Sequence, residues 1–322
     1  MRAPRTFPLQ ACASAFAVAL VVAAIPSSAD AREDWFEPGA LGMGGAVRVL
    51  GGDITAVRLS PAAMSGRPTY ATGVSYSFYG RERNHIFSTG AYDSKTSPLA
   101  LGSTYSVNIS TPPFDPQDTL NWYVPDSELA DTKTTHRWEV AAAYGLLERR
   151  INFGLGLRLL RHNYRLRANE VRFTMDTGVI FWPVEFLGLG VSLANFIPTK
   201  DDRHPTRFSG GVALAIPNIL DVGVDAVLDF TSQDVIKADV HGGVTVKALQ
   251  IVLFRAGYYG DRGFTENYIT WGLGIEIPTA RVKIKIDYGM RIEVGPLDEA
   301  LRADRREGFQ RIYNSIGASV GF

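Results

Sequence analysis

Apolar and polar residues alternate with a period of two along most of this chain. In residues 281–293 one parity reads Val282, Ile284, Ile286, Tyr288, Met290 and Ile292. The other reads Arg281, Lys283, Lys285, Asp287, Gly289, Arg291 and Glu293. Successive side chains of a strand point to opposite faces, so this segment is a strand with one apolar and one charged face. Trp138, Val140, Ala142, Tyr144 and Leu146 repeat the pattern, as do Ile269, Trp271, Leu273, Ile275 and Ile277, and again Val222, Val224, Ala226, Leu228 and Phe230. Fourteen such segments are predicted, near 70–79, 84–92, 98–109, 136–147, 151–166, 171–182, 187–197, 206–216, 221–231, 236–248, 250–259, 268–277, 281–293 and 310–322. Most are close to the ~9–11 residues that a tilted membrane-crossing strand needs.

A soluble sandwich would have to bury all these apolar faces between two very large sheets. A closed barrel with lipid outside and a polar lumen satisfies both faces. The predicted fold is therefore all-β, a 14-stranded antiparallel transmembrane β-barrel over residues 70–322. Connection lengths agree. The expected short turns fall at 93–96, 148–150, 183–186, 217–220, 248–249 and 278–280. The longest connections, 110–135 and 294–309, fall together on the opposite side. Bacterial outer-membrane barrels have this asymmetry, with short periplasmic turns and longer external loops. The chain ends in an alternating strand with Gly317, Val320 and a terminal Phe322, which resembles the signal read by the barrel assembly machinery.

The first 31 residues read as a secretory leader. Arg2 and Arg5 precede an apolar run at 11–24, and Ala29-Asp30-Ala31 supplies a small-x-small cleavage site. The run is too short to span a membrane as a helix. Cleavage there removes Cys12, the one cysteine, which also precedes the apolar run and so does not fit a lipidation site. No disulfide or thiolate metal site is then available. Charge balances at 33 basic and 33 acidic residues, which gives no footprint for nucleic acid. Beyond the leader no run of 18 apolar residues occurs, so spanning helices are excluded.

Residues 32–69 do not alternate. They carry Gly42, Gly44 and Gly45 before Ala46, then Asp53, then Ser60-Pro61-Ala62. This stretch resembles the N-terminal segment of the FadL-like outer-membrane transporters of hydrophobic compounds, including their PorV-like relatives, with Ser60 where that family carries Asn. The resemblance implies a hatch folded inside the barrel. Glycines permit close backbone approach, and Leu41, Met43, Val47, Val49 and Leu50 need shelter from water. Enclosed Asp53 is expected to pair with a lumenal cation, Arg255 or one from the strand carrying Arg281, Lys283, Lys285 and Arg291.

Gly154-x-Gly156, Gly188-x-Gly190 and Gly272-x-Gly274 lack the strand–turn–helix setting of a nucleotide loop. They are read as room for the hatch or points of wall curvature. The five histidines form no short metal-ligand motif and no nucleophile motif accompanies them, so no enzyme activity, metal or cofactor is expected. Arg255, Arg281, Lys283, Lys285, Asp287 and Arg291 are expected to line the lumen, as a selectivity lining or as internal ion pairs. Phe114, Leu120, Trp122 and Tyr123 in the 110–135 connection are the candidate external groove for a ligand. The resemblance implies passive uptake of long-chain fatty acids or aromatic hydrocarbons. A PorV-like secretion or surface-attachment role, a structural role and an open porin are the alternatives. Expected partners are outer-membrane lipid and lipopolysaccharide, the hydrophobic ligand and the assembly machinery.

Overall fold

The computed structural model describes residues 35–79, 84–110, 133–165, 168–199, 204–230, 236–249, 251–261, 266–279, 282–294 and 312–322. The expected leader, and with it the expected cleavage site, lies outside these residues. Fourteen strands follow one another: β1 Tyr70–Tyr79, β2 Asn84–Asp93, β3 Leu99–Ser110, β4 Lys133–Leu146, β5 Ile151–Tyr164, β6 Glu170–Val184, β7 Leu187–Ala194, β8 Arg207–Ile216, β9 Leu220–Asp229, β10 Lys237–Ala248, β11 Val252–Asp261, β12 Glu266–Pro278, β13 Lys283–Glu293 and β14 Ile312–Gly321. Each pairs antiparallel with its sequence neighbour, and β1 pairs with β14 to close the sheet. Closure leaves no open edge.

The two parities separate as the alternation requires. On β4, Val140 is 55 % exposed while neighbouring Glu139 is 3 % exposed. On β12, Ile269, Trp271, Leu273, Ile275 and Ile277 all face outward. Ile284 and Ile286 face outward on β13, and Asp287 is buried inside. An apolar belt thus surrounds a polar interior, the reverse of a soluble protein. No helix among the described residues is long and apolar enough to cross a membrane; the strands do so.

Thirteen of the fourteen strand pairs keep a continuous register, and β6–β7 alone shifts, between Phe181 and Val184. Strand β7 also stops at Ala194, short of the residue 197 that alternation predicts. The cause is local. Asn195 takes φ 53°, its N–H donates to Asp176 Oδ1 at 2.7 Å, and the chain leaves the ladder there.

Residues 35–69 precede the wall. They contain two one-turn helices, α1 Pro38–Gly42 and α2 Thr55–Leu59, and a 3₁₀ turn Pro61–Ser65. Proline opens both α1 and the 3₁₀ turn, where its missing N–H costs nothing and its fixed φ suits the first turn. The segment touches strands from all round the circumference. Pro38 lies against Gly289 of β13, Met43 against Gly243 of β10 and Gly257 of β11, Ala46 against Gly223 of β9, Val49 against Gly188, Gly190 and Gly211 of β7 and β8, and Ala62 against Gly154 of β5. Only a segment inside the barrel can do this. Wall alanines add to this: Ala100, Ala141, Ala143, Ala213 and Ala215 share one buried cluster with Val49, Val57 and Met64 of the segment.

Candidate functional site

The lumen is built by inward residues of the wall meeting the inner segment. Two arginines of the segment carry the electrostatic contacts. Arg48 Nη1 lies 3.5 Å from Asp225 of β9, which also accepts the Arg48 N–H at 3.2 Å. Arg58, in α2, lies 3.0 Å from Glu37 through Nη1 and 3.3 Å from Glu139 of β4 through Nε. It also donates to Ser106 of β3. Glu139 is the centre of a wider cluster. It accepts from Arg137 Nε at 2.8 Å, from Arg158 Nε at 2.7 Å and from the Thr104 hydroxyl at 2.8 Å. Arg158 of β5 continues to Asp176 of β6 and, through Nη1, to Asn195 Oδ1 at 2.5 Å. Three carboxylates, Glu37, Glu139 and Asp176, thereby face three guanidiniums, those of Arg58, Arg137 and Arg158, all of them buried. Burial pushes the Glu37 carboxyl above the usual carboxylate range, against the opposing pull of Arg58.

The expected polarity of these contacts is reversed. Asp53 was expected to meet Arg255 or a cation of β13. Its Oδ1 instead accepts the Thr55 N–H at 2.9 Å at the start of α2. Arg255 and Lys285 both close on Asp287, at 2.8 and 2.9 Å. The segment supplies cations and the wall supplies acids, because Arg48 and Arg58 have the reach to cross to the wall whereas a short aspartate caps its own turn.

The other predicted lumen residues are spread over two levels. Lys283 stands near the short-turn rim, 3.5 Å from Glu276. Arg291 lies deep towards the other end, its guanidinium 4.0, 4.5 and 5.0 Å from the ring centres of Tyr313, Tyr268 and Tyr259. With Trp35, Phe36 and Leu41 these tyrosines form an apolar cluster in that half of the lumen. Arg281 lies outside the described residues, as do Phe114, Leu120, Trp122 and Tyr123 of the expected groove.

The glycine motif is used for close approach. Gly44 and Gly45 have φ 63° and 80°, and a Cβ on Gly45 would lie 2.9 Å from His241 and from the Phe36 ring. Gly42 abuts Gly272 backbone to backbone, and its carbonyl accepts the Thr270 hydroxyl at 3.0 Å. Ser60 is buried and its carbonyl accepts the Ala63 N–H at 2.9 Å, starting the turn that Pro61 and Ala62 continue. Of the wall glycine pairs, Gly154, Gly156, Gly188, Gly190 and Gly272 make room for the inner segment, while Gly274 makes room for Arg255 and Asp287. Gly317 lies against the Pro38 ring. Phe322 stacks on Tyr70 at 4.6 Å, and the two residues exchange main-chain bonds of 3.1 and 3.0 Å where the barrel closes.

Between the inner segment and the β9–β14 wall lies a cavity of about 540 Å³. It opens at the short-turn end. Arg67, Lys247, Lys283 and Lys285 line it, with Asp221 and Glu276. Leu50, Leu253 and Val320 give it apolar surface.

Arg58, Glu139, Arg158 and Asp176 were not singled out by sequence reasoning. A signal existed: Arg137, Glu139 and Arg158 sit on the parity opposite Trp138, Val140 and Leu157. Only the register, which sets Glu139 beside Arg158 and Gly156 beside Asp176, reveals the cluster.

A closed 14-stranded barrel with an apolar outer belt and a filled polar lumen defines a bacterial outer-membrane protein. The fold is shared with a Pseudomonas aeruginosa FadL homologue (TM-score 0.59, 12 % identity, covering 89 % of this chain and 98 % of that one). It is likewise shared with the Ralstonia pickettii toluene transporter TbuX (TM-score 0.59, 10 % identity, 89 % and 97 % covered) and the P. putida toluene transporter TodX (0.56, 10 %, 89 % and 97 %). No protein-family model and no curated protein sequence matches the chain.

Proposed function

We propose that this barrel admits small hydrophobic molecules passively through the outer membrane, with the inner segment as its gate. The observation that carries the reading is the pairing of a backbone-tight inner segment with the cavity beneath it. A lumen filled to glycine contact gives hydrated solutes little room. A molecule without a hydration shell loses less on entering it, since burying unpaired polar groups is what costs free energy. The route runs from the external loops past the aromatic cluster of Phe36, Tyr259 and Tyr268 to the cavity at the periplasmic end. The fold shared with two toluene transporters supports monoaromatic hydrocarbons as a substrate class, and the FadL-like N-terminal motif adds long-chain fatty acids. No covalent chemistry is assigned to the lumen.

The test is uptake by cells that lack other such barrels, with radiolabelled toluene, oleate and a disaccharide supplied separately. Expression is expected to speed entry of toluene or oleate and leave the disaccharide unchanged. Entry of the disaccharide alone would make the protein a porin. No change for any of the three would favour a partner or structural role.

A further inference from the structure

We propose that the outer surface of β3–β6 holds a binding site for a phosphorylated glycolipid headgroup of the outer leaflet, centred on Arg161. The inference rests on the parity of β5. Its outward residues run Ile151, Phe153, Leu155, Leu157 and Leu159, all apolar, and then Arg161 and Asn163. Among the described strands Arg161 is the single lysine or arginine on the lipid-facing parity. It stands one outward position past Leu159, on the side of the long external connections. That is the level at which acyl chains give way to headgroups in the external leaflet.

Among the described residues the guanidinium meets no acid there. Its Nε donates to Asn163 Oδ1 at 3.0 Å. The outward positions of β3, β4, β5 and β6 hold no aspartate or glutamate among the described residues. The lumen treats arginine in the opposite way, giving Arg58, Arg137 and Arg158 carboxylates at close range. A cation with no acidic partner among the described residues, at the top of an apolar belt, is complementary to an anion carried by the lipid itself. Guanidinium and phosphate match in a forked, two-bond geometry.

The surroundings suit a glycolipid. His136 is the cross-strand neighbour of Arg161. It stacks on Trp138 at 5.7 Å, and its Nδ1 lies 2.8 Å from the Tyr105 hydroxyl. Tyr105 lies 5.3 Å from Trp138. Tyrosine and tryptophan belong where one end of a side chain is apolar and the other wet. Here they form a platform beside the cation, on which a sugar ring can rest while its phosphate meets Arg161. In the outer leaflet, the lipid with phosphate on a sugar headgroup is lipopolysaccharide, through its lipid A moiety.

The probe is lipid A, diphosphorylated or chemically dephosphorylated, added to the full protein in detergent and read by native mass spectrometry. Wild type is expected to retain the phosphorylated form. Arg161→Ala should weaken retention roughly tenfold or more, the loss of a charge-assisted pair. Arg161→Lys should restore part of it, and the dephosphorylated form should bind wild type as weakly as phosphorylated lipid A binds R161A. Heat-modifiable mobility in gels checks that each variant is an assembled barrel, as expected for an exposed position. Equal retention by wild type and R161A, or equal binding of both lipids, overturns the proposal. Displacement by millimolar inorganic phosphate would mark a site for free anions and overturn the lipid assignment.

Discussion

Arg158 binds Asn195 and the inner segment with one guanidinium. Its Nη1 donates to Asn195 Oδ1 at 2.5 Å and its Nη2 to the carbonyl of Arg58 at 3.2 Å. Asn195 is where β7 ends, and it also holds the far side of the following connection, donating to the Pro205 carbonyl at 2.9 Å. The external connection after β7 and the α2 end of the inner segment therefore share a single side chain.

Arg158→Met is expected to destabilise the barrel strongly. It leaves Glu139 and Asp176 with one cation fewer in a buried cluster. Breaking a buried pair from one side costs about 3–5 kcal/mol. The heat-modifiability midpoint should fall sharply, and single-channel current should rise as α2 loses its hold. An unchanged midpoint would show that the cluster contributes little.

Gly154→Leu should displace the 3₁₀ turn without preventing barrel assembly. A side chain at this inward site would occupy the position of the Ala62 main chain. Planar-bilayer recording is expected to show more frequent opening than in wild type. Gly52→Ala serves as the control for strain, since space around Gly52 is open but its φ is 100°. It should leave the current near wild type.

Deleting residues 35–65 should leave an assembled barrel with a conductive pore. The wall strands pair with one another, and the obstruction is gone. A deletion variant that inserts yet conducts no better than wild type would remove the gating role from this segment.

Ile286→Lys should cost about 2–4 kcal/mol if the position lies near mid-bilayer, because lysine would then sit in hydrocarbon. Equilibrium refolding into vesicles measures it. A cysteine at Ile286 should react with a lipid-borne reagent, and one at Asp287 should not.

Phe322→Ala should lower the fraction of chain that reaches the assembled form. The ring of Phe322 stacks on Tyr70 across the closing seam, and the assembly signal expected from the sequence would lose its aromatic end. Comparing heat-modifiable with total protein at equal expression gives the result.

The wall was legible in the chain because a strand's two faces are written in every second residue. Val140 and Glu139 needed no partner to be assigned outside and inside. Turn positions followed from where alternation stopped, at residues such as Pro217 and Asn218. The lumen was less legible. Whether Glu139 meets Arg158 or some other cation depends on the registers of β4 and β5, and single-chain periodicity does not carry register. The Asp53 expectation failed for a different, local reason: the need for a partner was sound, but a backbone N–H two residues along met it. The end of β7 was missed because Asn195, an acceptable strand residue by pattern, is drawn out of the ladder by Asp176, which lies on another strand.

The glycine contacts of the inner segment carry a consequence for how the wall is counted. Pro38, Met43, Ala46 and Ala62 rest their main chains on β13, β10, β9 and β5 with no side chain between. Strands stand about 4.8 Å apart, so one added hairpin would widen a barrel by roughly 3 Å. That is enough to lift the segment off one side. The inner segment is thus a gauge of circumference: its contacts can all be made at once only by a wall of this size.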